Sequence, residues 1–150
     1  AQIMLGLANV NKTVEEVRQH LENGQALAKF EKMVQAQGGD LEDLYRPVNV
    51  AHVVEIPAQE TGVISALPAM EFGLYAMRLG AGRAVKSDAL DYETGIVFEK
   101  KVGDSVQKGE IVAKVYTNGK ISPQLVTDFQ KYVKINDRVQ SLREIIEIIS

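Results

Sequence analysis

The chain has 150 residues, of which 45% are hydrophobic and 25% charged, with a formal net charge of −3 and an isoelectric point near 5.4. That balance is too apolar for a disordered chain and too acidic for a nucleic-acid binder, which needs clustered Lys and Arg. No cysteine is present, so disulfides and thiolate metal sites are excluded, and no apolar run approaches the ~20 residues of a membrane helix. These features, with no visible signal peptide, predict a cytoplasmic protein of one or two domains.

Ala1-Gln2-Ile3-Met4-Leu5-Gly6-Leu7-Ala8 is amphipathic from its first residue, with no preceding cap. It reads as the tail of a helix whose start has been removed. Thr13-Val14-Glu15-Glu16 matches a capping box, in which Thr13 accepts from the Glu16 amide and Glu16 reaches back to the amide of Thr13. Val14, Val17 and Leu21 then share a face, and Asn23-Gly24 supplies a left-handed stop. Leu27, Phe30 and Val34 mark a third helix, ended by Gly38-Gly39-Asp40.

The period changes after Asp40. Residues 41–57 hold two prolines and read as a linker containing one short β-rich run, Val48 to Ile56. Thr61 to Leu67 is predicted as a strand entered through Gly62 and stopped by Pro68. Met70 to Leu79 has helical spacing, with Met70, Leu74 and Met77 on one face, and Gly80-Ala81-Gly82 closes it; Gly82 is expected at positive φ. Gly95 to Val102 and Ile111 to Thr117 are β-branched and aromatic segments between glycine turns. Ser122-Pro123 opens a further helix whose buried stripe is Leu125, Phe129 and Tyr132. Residues 142–149 fit either a helix or a strand, and strand is favoured.

Few residues invite a chemical role. Gly80-Ala81-Gly82 lacks the third glycine, the preceding strand and the following helix of a dinucleotide fingerprint, so it reads as a helix cap and turn. His20 and His52 stand about thirty positions apart without a Cys or paired acid, and read as surface or packing residues. Asp88, Asp91 and Glu93 lack the glycine and alternation of a calcium loop and read as a solvated acidic loop. Met70, Phe72, Tyr75 and Met77 have core or interface spacing.

Gly103-Asp104, Val106, Lys108-Gly109 and Val112-Ala113 follow a pattern that resembles the biotinyl- and lipoyl-carrier fold. Matching outward from Gly109 puts Gly119 where a carrier has its modifiable lysine, with Asn118 before it and Lys120 after it. Asn118-Gly119 is itself a favoured hairpin turn. The fold resemblance therefore stands without the carrier function.

Three segments together resemble the C-terminal part of the pyrimidine-nucleoside phosphorylase and thymidine phosphorylase family: Ala26-Leu27-Ala28-Lys29-Phe30 through Asp40, Leu79-Gly80-Ala81-Gly82-Arg83-Ala84, and Gly95-Ile96-Val97 through Thr117. The resemblance implies reversible phosphorolysis of pyrimidine nucleosides to free base and (deoxy)ribose 1-phosphate by a homodimer. It implies phosphate as co-substrate and potassium as an ion of the intact enzyme. The family's phosphate-, base- and potassium-binding residues lie in the earlier part of its polypeptide, and no position here matches them. No catalytic, cofactor-binding or metal residue is therefore expected in this chain, and its partner is the N-terminal catalytic region of the same polypeptide.

The fold expected is α+β. Residues 1–40 are a helical remnant of the catalytic α/β region and 41–57 a linker with a short strand. Residues 58–150 are a C-terminal domain resembling a biotinyl/lipoyl-like barrel-sandwich with flanking helices. The competing reading is a self-standing binding or carrier module of that barrel type.

Overall fold

A computed structural model describes residues 1–83 and 85–138, in two compact units that divide between Pro47 and Val48. The strand expected at 142–149 lies outside the described residues. The first unit is helical: α1 (Gln2–Leu7), α2 (Val14–Glu22), α3 (Gln25–Ala36) and α4 (Leu41–Tyr45). The capping box forms as read. The Glu16 amide donates to Thr13 Oγ1 at 3.1 Å and the Thr13 amide to Glu16 Oε2 at 2.8 Å. Lys12 Nζ adds a bond to Glu16 Oε1 at 2.9 Å. Gly24 takes φ +80° between α2 and α3, a conformation a side chain would resist.

α4 corrects the reading of 41–57 as a linker with a strand alone. Asp40 accepts from the Glu42 amide at 2.9 Å, and Glu42 and Asp43 oppose the helix dipole in the first turn. A helix cap was thus mistaken for the end of the preceding helix. None of α1, α2 or α3 buries a residue. Met4 is 73% exposed and Leu21 70%, so the apolar faces read from the sequence are present but open.

The second unit is α+β with two small antiparallel sheets. Its elements are β1 (His52–Pro57), β2 (Gly62–Ala66), α5 (Ala69–Ala76), β3 (Gly95–Phe98), β4 (Ser105–Val106), β5 (Ile111–Thr117), α6 (Leu125–Gln130) and β6 (Lys134–Asn136). One sheet has the order β1-β5-β3 and the other β4-β2-β6. In the first, His52 pairs with Thr117, and Gly95 with Tyr116. In the second, Val63 lies between Ser105 and Asn136.

The turn pattern around Gly103 joins the two sheets. Gly103 has φ +99°, its amide donates to Ile64 O at 2.8 Å, and Asp104 Oδ2 accepts from the Lys101 amide at 2.7 Å. Gly109, at φ +87°, donates to Ala58 O at 2.9 Å. Val106 enters a core cluster with Ala58, Ile64 and Val112. A second cluster holds Ile56, Phe72, Tyr75, Ala113, Val115, Leu125 and Phe129. β5 therefore serves both, Val112 facing one cluster and Ala113 and Val115 the other.

The helix α6 buries Leu125 and Phe129, with Tyr132 packed alongside, as its stripe predicts. It begins two residues later than expected, because Ser122 and Pro123 form a preceding turn in which the Leu125 amide donates to Ser122 O. On α5 the buried residues are Phe72 and Tyr75, whereas Met70 is 76% exposed. Met70 and Leu74 lie on the outer side, because the aromatic side chains Phe72 and Tyr75 find Phe98, Phe129 and Tyr132 as ring partners at 4.8–5.9 Å. Strand β6 was not read at all, and β3 stops at Phe98 rather than Val102. There the amides of Glu99 and Lys100 both donate to Val112 O, which leaves the regular ladder.

Among the described residues no hairpin has its tip at Asn118-Gly119. Gly119 lacks the positive φ that a type I′ turn needs, and the chain passes instead into the turn before α6. The hairpin tip assigned to Asn118-Gly119 is thus corrected. Among the described residues the two sheets do not close into a barrel.

Candidate functional site

The segment after α5 is a π-helical turn, Met77–Ala81, that breaks at Gly80 with φ +112°. Gly80 is therefore the left-handed glycine of the Gly-x-Gly pair. Gly82 is extended at φ −145°, against expectation, and is small for a different reason: a Cβ there would come within 2.9 Å of Met77 Cγ. No helix follows, so the arrangement cannot cradle a dinucleotide phosphate.

Gly80 O accepts from the Asp91 amide at 3.0 Å, which brings the acidic segment onto this turn. Asp91 lies in this loop, half-exposed and hydrogen-bonded. Its carboxylate accepts from Thr94 Oγ1 at 2.7 Å, the Glu93 amide at 3.0 Å and Asn118 Nδ2 at 3.0 Å. The Thr94 hydroxyl and the Glu93 amide, followed by Asn118, hold its pKa below the usual carboxylate range. Asn118 Oδ1 in turn accepts from the Ala51 amide at 2.8 Å. One acid and one amide thus tie together the entrance to β1, the turn after α5 and the end of β5.

Asp88 caps its own loop through the Val85 amide at 2.9 Å. Among the described residues, no group of three His, Asp or Glu side chains could hold a metal ion. His20 Nδ1 lies 2.6 Å from Gln25 Oε1 in the helical unit, and His52 is exposed at the head of β1. Neither meets a nucleophile.

A concavity of about 300 Å³ opens beside the same turn. α5 supplies Tyr75, the π-helical turn Arg78 and Leu79, the loop after β5 Lys120 and Ser122, and α6 with its exit Leu125, Asp128, Lys131 and Tyr132. Tyr75 donates to Leu125 O at 2.9 Å, and its pKa is pushed up to about 12 by burial and then by the Asp128 charge. It is a fixed neutral donor. Lys131 pairs with Asp128 at 2.6 Å, and Ser122 Oγ donates to Gln124 Oε1 at 2.8 Å.

The concavity has cations, hydroxyls and an apolar floor, but no histidine and no nucleophile–base pair. Its acid and one of its cations are taken up by each other, Asp128 by Lys131. Sequence reasoning assembled none of it. Leu125 and Tyr132 were read as a stripe, but Arg78, Lys120 and Lys131 are scattered cations that only the fold brings together.

The family model for the pyrimidine nucleoside phosphorylase C-terminal domain matches residues 63–136. The chain is 39% identical over 139 residues to a pyrimidine-nucleoside phosphorylase of Bacillus subtilis, covering 88% of this chain and 32% of that protein. Against one from Staphylococcus haemolyticus it is 37% identical over 154 aligned positions, covering 98% of this chain and 36% of the relative. One from Geobacillus stearothermophilus is 39% identical over 122 residues, covering 77% and 28%. The chain spans about a third of the length of these curated relatives.

Proposed function

The chain belongs to the pyrimidine-nucleoside phosphorylase family as a C-terminal part, and from this we propose that it is the scaffolding module of an enzyme of pyrimidine-nucleoside phosphorolysis. The parent reaction joins phosphate to the pentose of a pyrimidine nucleoside and releases the free base. It needs cations around phosphate and donors for the departing base. The observation that carries the reading is the domain match over residues 63–136.

On this reading the catalytic residues come from polypeptide outside these 150 residues, and the chain contributes none. The open apolar faces of α1, α2 and α3 support it, since helices that bury nothing of their own want a larger body to pack on. The two small sheets joined through the Gly103 and Gly109 turns support a barrel-sandwich relationship for the second unit. The parent enzyme is a cytoplasmic homodimer of nucleoside salvage that uses phosphate as co-substrate and potassium as its ion.

A graft tests this. Substituted for the matching third of the Bacillus subtilis relative, the chain should restore release of uracil from uridine and phosphate, whereas the chain alone should release none. Turnover by the chain alone would overturn the proposal, as would a folded chimera with no activity.

A further inference from the structure

The concavity beside the π-helical turn carries an uneven charge. Of its four charged side chains three are cations, Arg78, Lys120 and Lys131, and one is an acid, Asp128, on a chain whose net charge is −3. Asp128 is taken up by Lys131 at 2.6 Å. Arg78 and Lys120 make no ion pair with any described residue, and both are exposed at the rim. An anion at this opening faces both cations at once.

The floor is different in character. Tyr75 is 7% exposed and Leu125 4%, and the Tyr75 hydroxyl is already spent on Leu125 O. Leu79 and Tyr132 continue this surface. An anion alone would leave it uncovered. A volume of about 300 Å³ is at the lower end of the range that takes small organic ligands.

We propose that this concavity binds a phosphate monoester on a ring-sized body, with phosphate between Arg78 and Lys120 and the ring against Leu79 and Tyr132. The guanidinium fork of Arg78 matches two phosphate oxygens, and Lys120 supplies a mobile point charge. Ser122 lines the same opening, its hydroxyl hydrogen already given to Gln124 Oε1. A pentose phosphate and a nucleoside monophosphate share this chemistry. The proposal is independent of the parent enzyme's activity.

The test is titration of the 150-residue chain with uridine 5′-monophosphate, ribose 5-phosphate, inorganic phosphate and uridine, read by amide chemical shifts. At least one organic phosphate should give saturable shifts around Leu79 and Ser122, more tightly than inorganic phosphate or uridine. The tighter of the two organic phosphates names the body. R78Q/K120Q should weaken binding about tenfold or more, as expected for loss of charge-assisted bonds, while K29Q/K32Q on α3 leaves it unchanged. Both altered side chains are exposed, so the fold is spared. No saturable response up to ~10 mM, where even mM sites fill, overturns the proposal. Equal binding of inorganic phosphate, or binding unchanged in R78Q/K120Q, does so too.

Discussion

At the scale of single residues, Glu16 shows what a local motif can do. Its carboxylate accepts from the Thr13 amide first, then Lys12, and its pKa falls to about 2. A carboxylate whose folded pKa is depressed adds stability above its unfolded pKa and loses it as pH falls through the folded value. The N-terminal end of α2 should therefore loosen between about pH 4.5 and pH 2, seen as loss of helical carbon shifts at Val14–Val17. Glu16→Gln should remove that pH dependence; a variant that titrates like the parent would show that the box does not hold α2. Gly82 makes the opposite case, where the residue type was read correctly and its reason was not. Its backbone is extended, and Met77 occupies the space a side chain would need. Gly82→Ala should cost about 1–3 kcal/mol in denaturant unfolding by overpacking. Adding Met77→Ala should then give less than the summed losses. Simple additivity would mean that Met77 is not the obstacle.

At the scale of elements, legibility follows the range of the interactions that make each one. The capping box, the Gly24 stop and the Gly103-Asp104 turn are built from neighbours in sequence, and all three were legible. β5 was legible because its β-branched run is buried on both sides. β6 is three residues long, Lys134–Asn136, and exists only because β2 offers Val63 and Ile64 as partners from far away. The bond of Asp91 to Asn118 was not legible for the same reason, since Asn118 comes to it across the fold. The concavity was invisible on the same grounds, its cations having no pattern of their own. The β2–β6 contact also explains Gly62. A Cβ there would meet Ile135 Cγ2 at 2.7 Å and Asn136 O at 2.8 Å, whereas one at Gly95 would meet nothing within 4 Å. Gly62→Ala should thus destabilise the second unit by about 1–3 kcal/mol, and Gly95→Ala by far less, in the same thermal melt. Comparable losses would remove close strand approach as the explanation.

At the scale of the whole molecule, the two units differ in what they bury. The second has fully enclosed residues such as Ile56, Val112 and Phe129, while the helices α1, α2 and α3 enclose none. Amide exchange should be fast throughout residues 1–47 and slowest in β1 and β5, because protection follows burial and contact. Uniform protection along the chain would contradict that contrast and weaken the case for a body that normally covers the helices. β5 pairs with both β1 and β3 and faces both core clusters, yet its partner β1 is made long before it. During synthesis His52 must wait, unpaired, until Thr117 has left the ribosome. The helices of the first unit close on near neighbours and can form at once, whereas non-local pairing is slow. The nascent chain therefore passes through an interval with α1–α4 formed and β1 a bare edge, the state in which it is most open to wrong pairing.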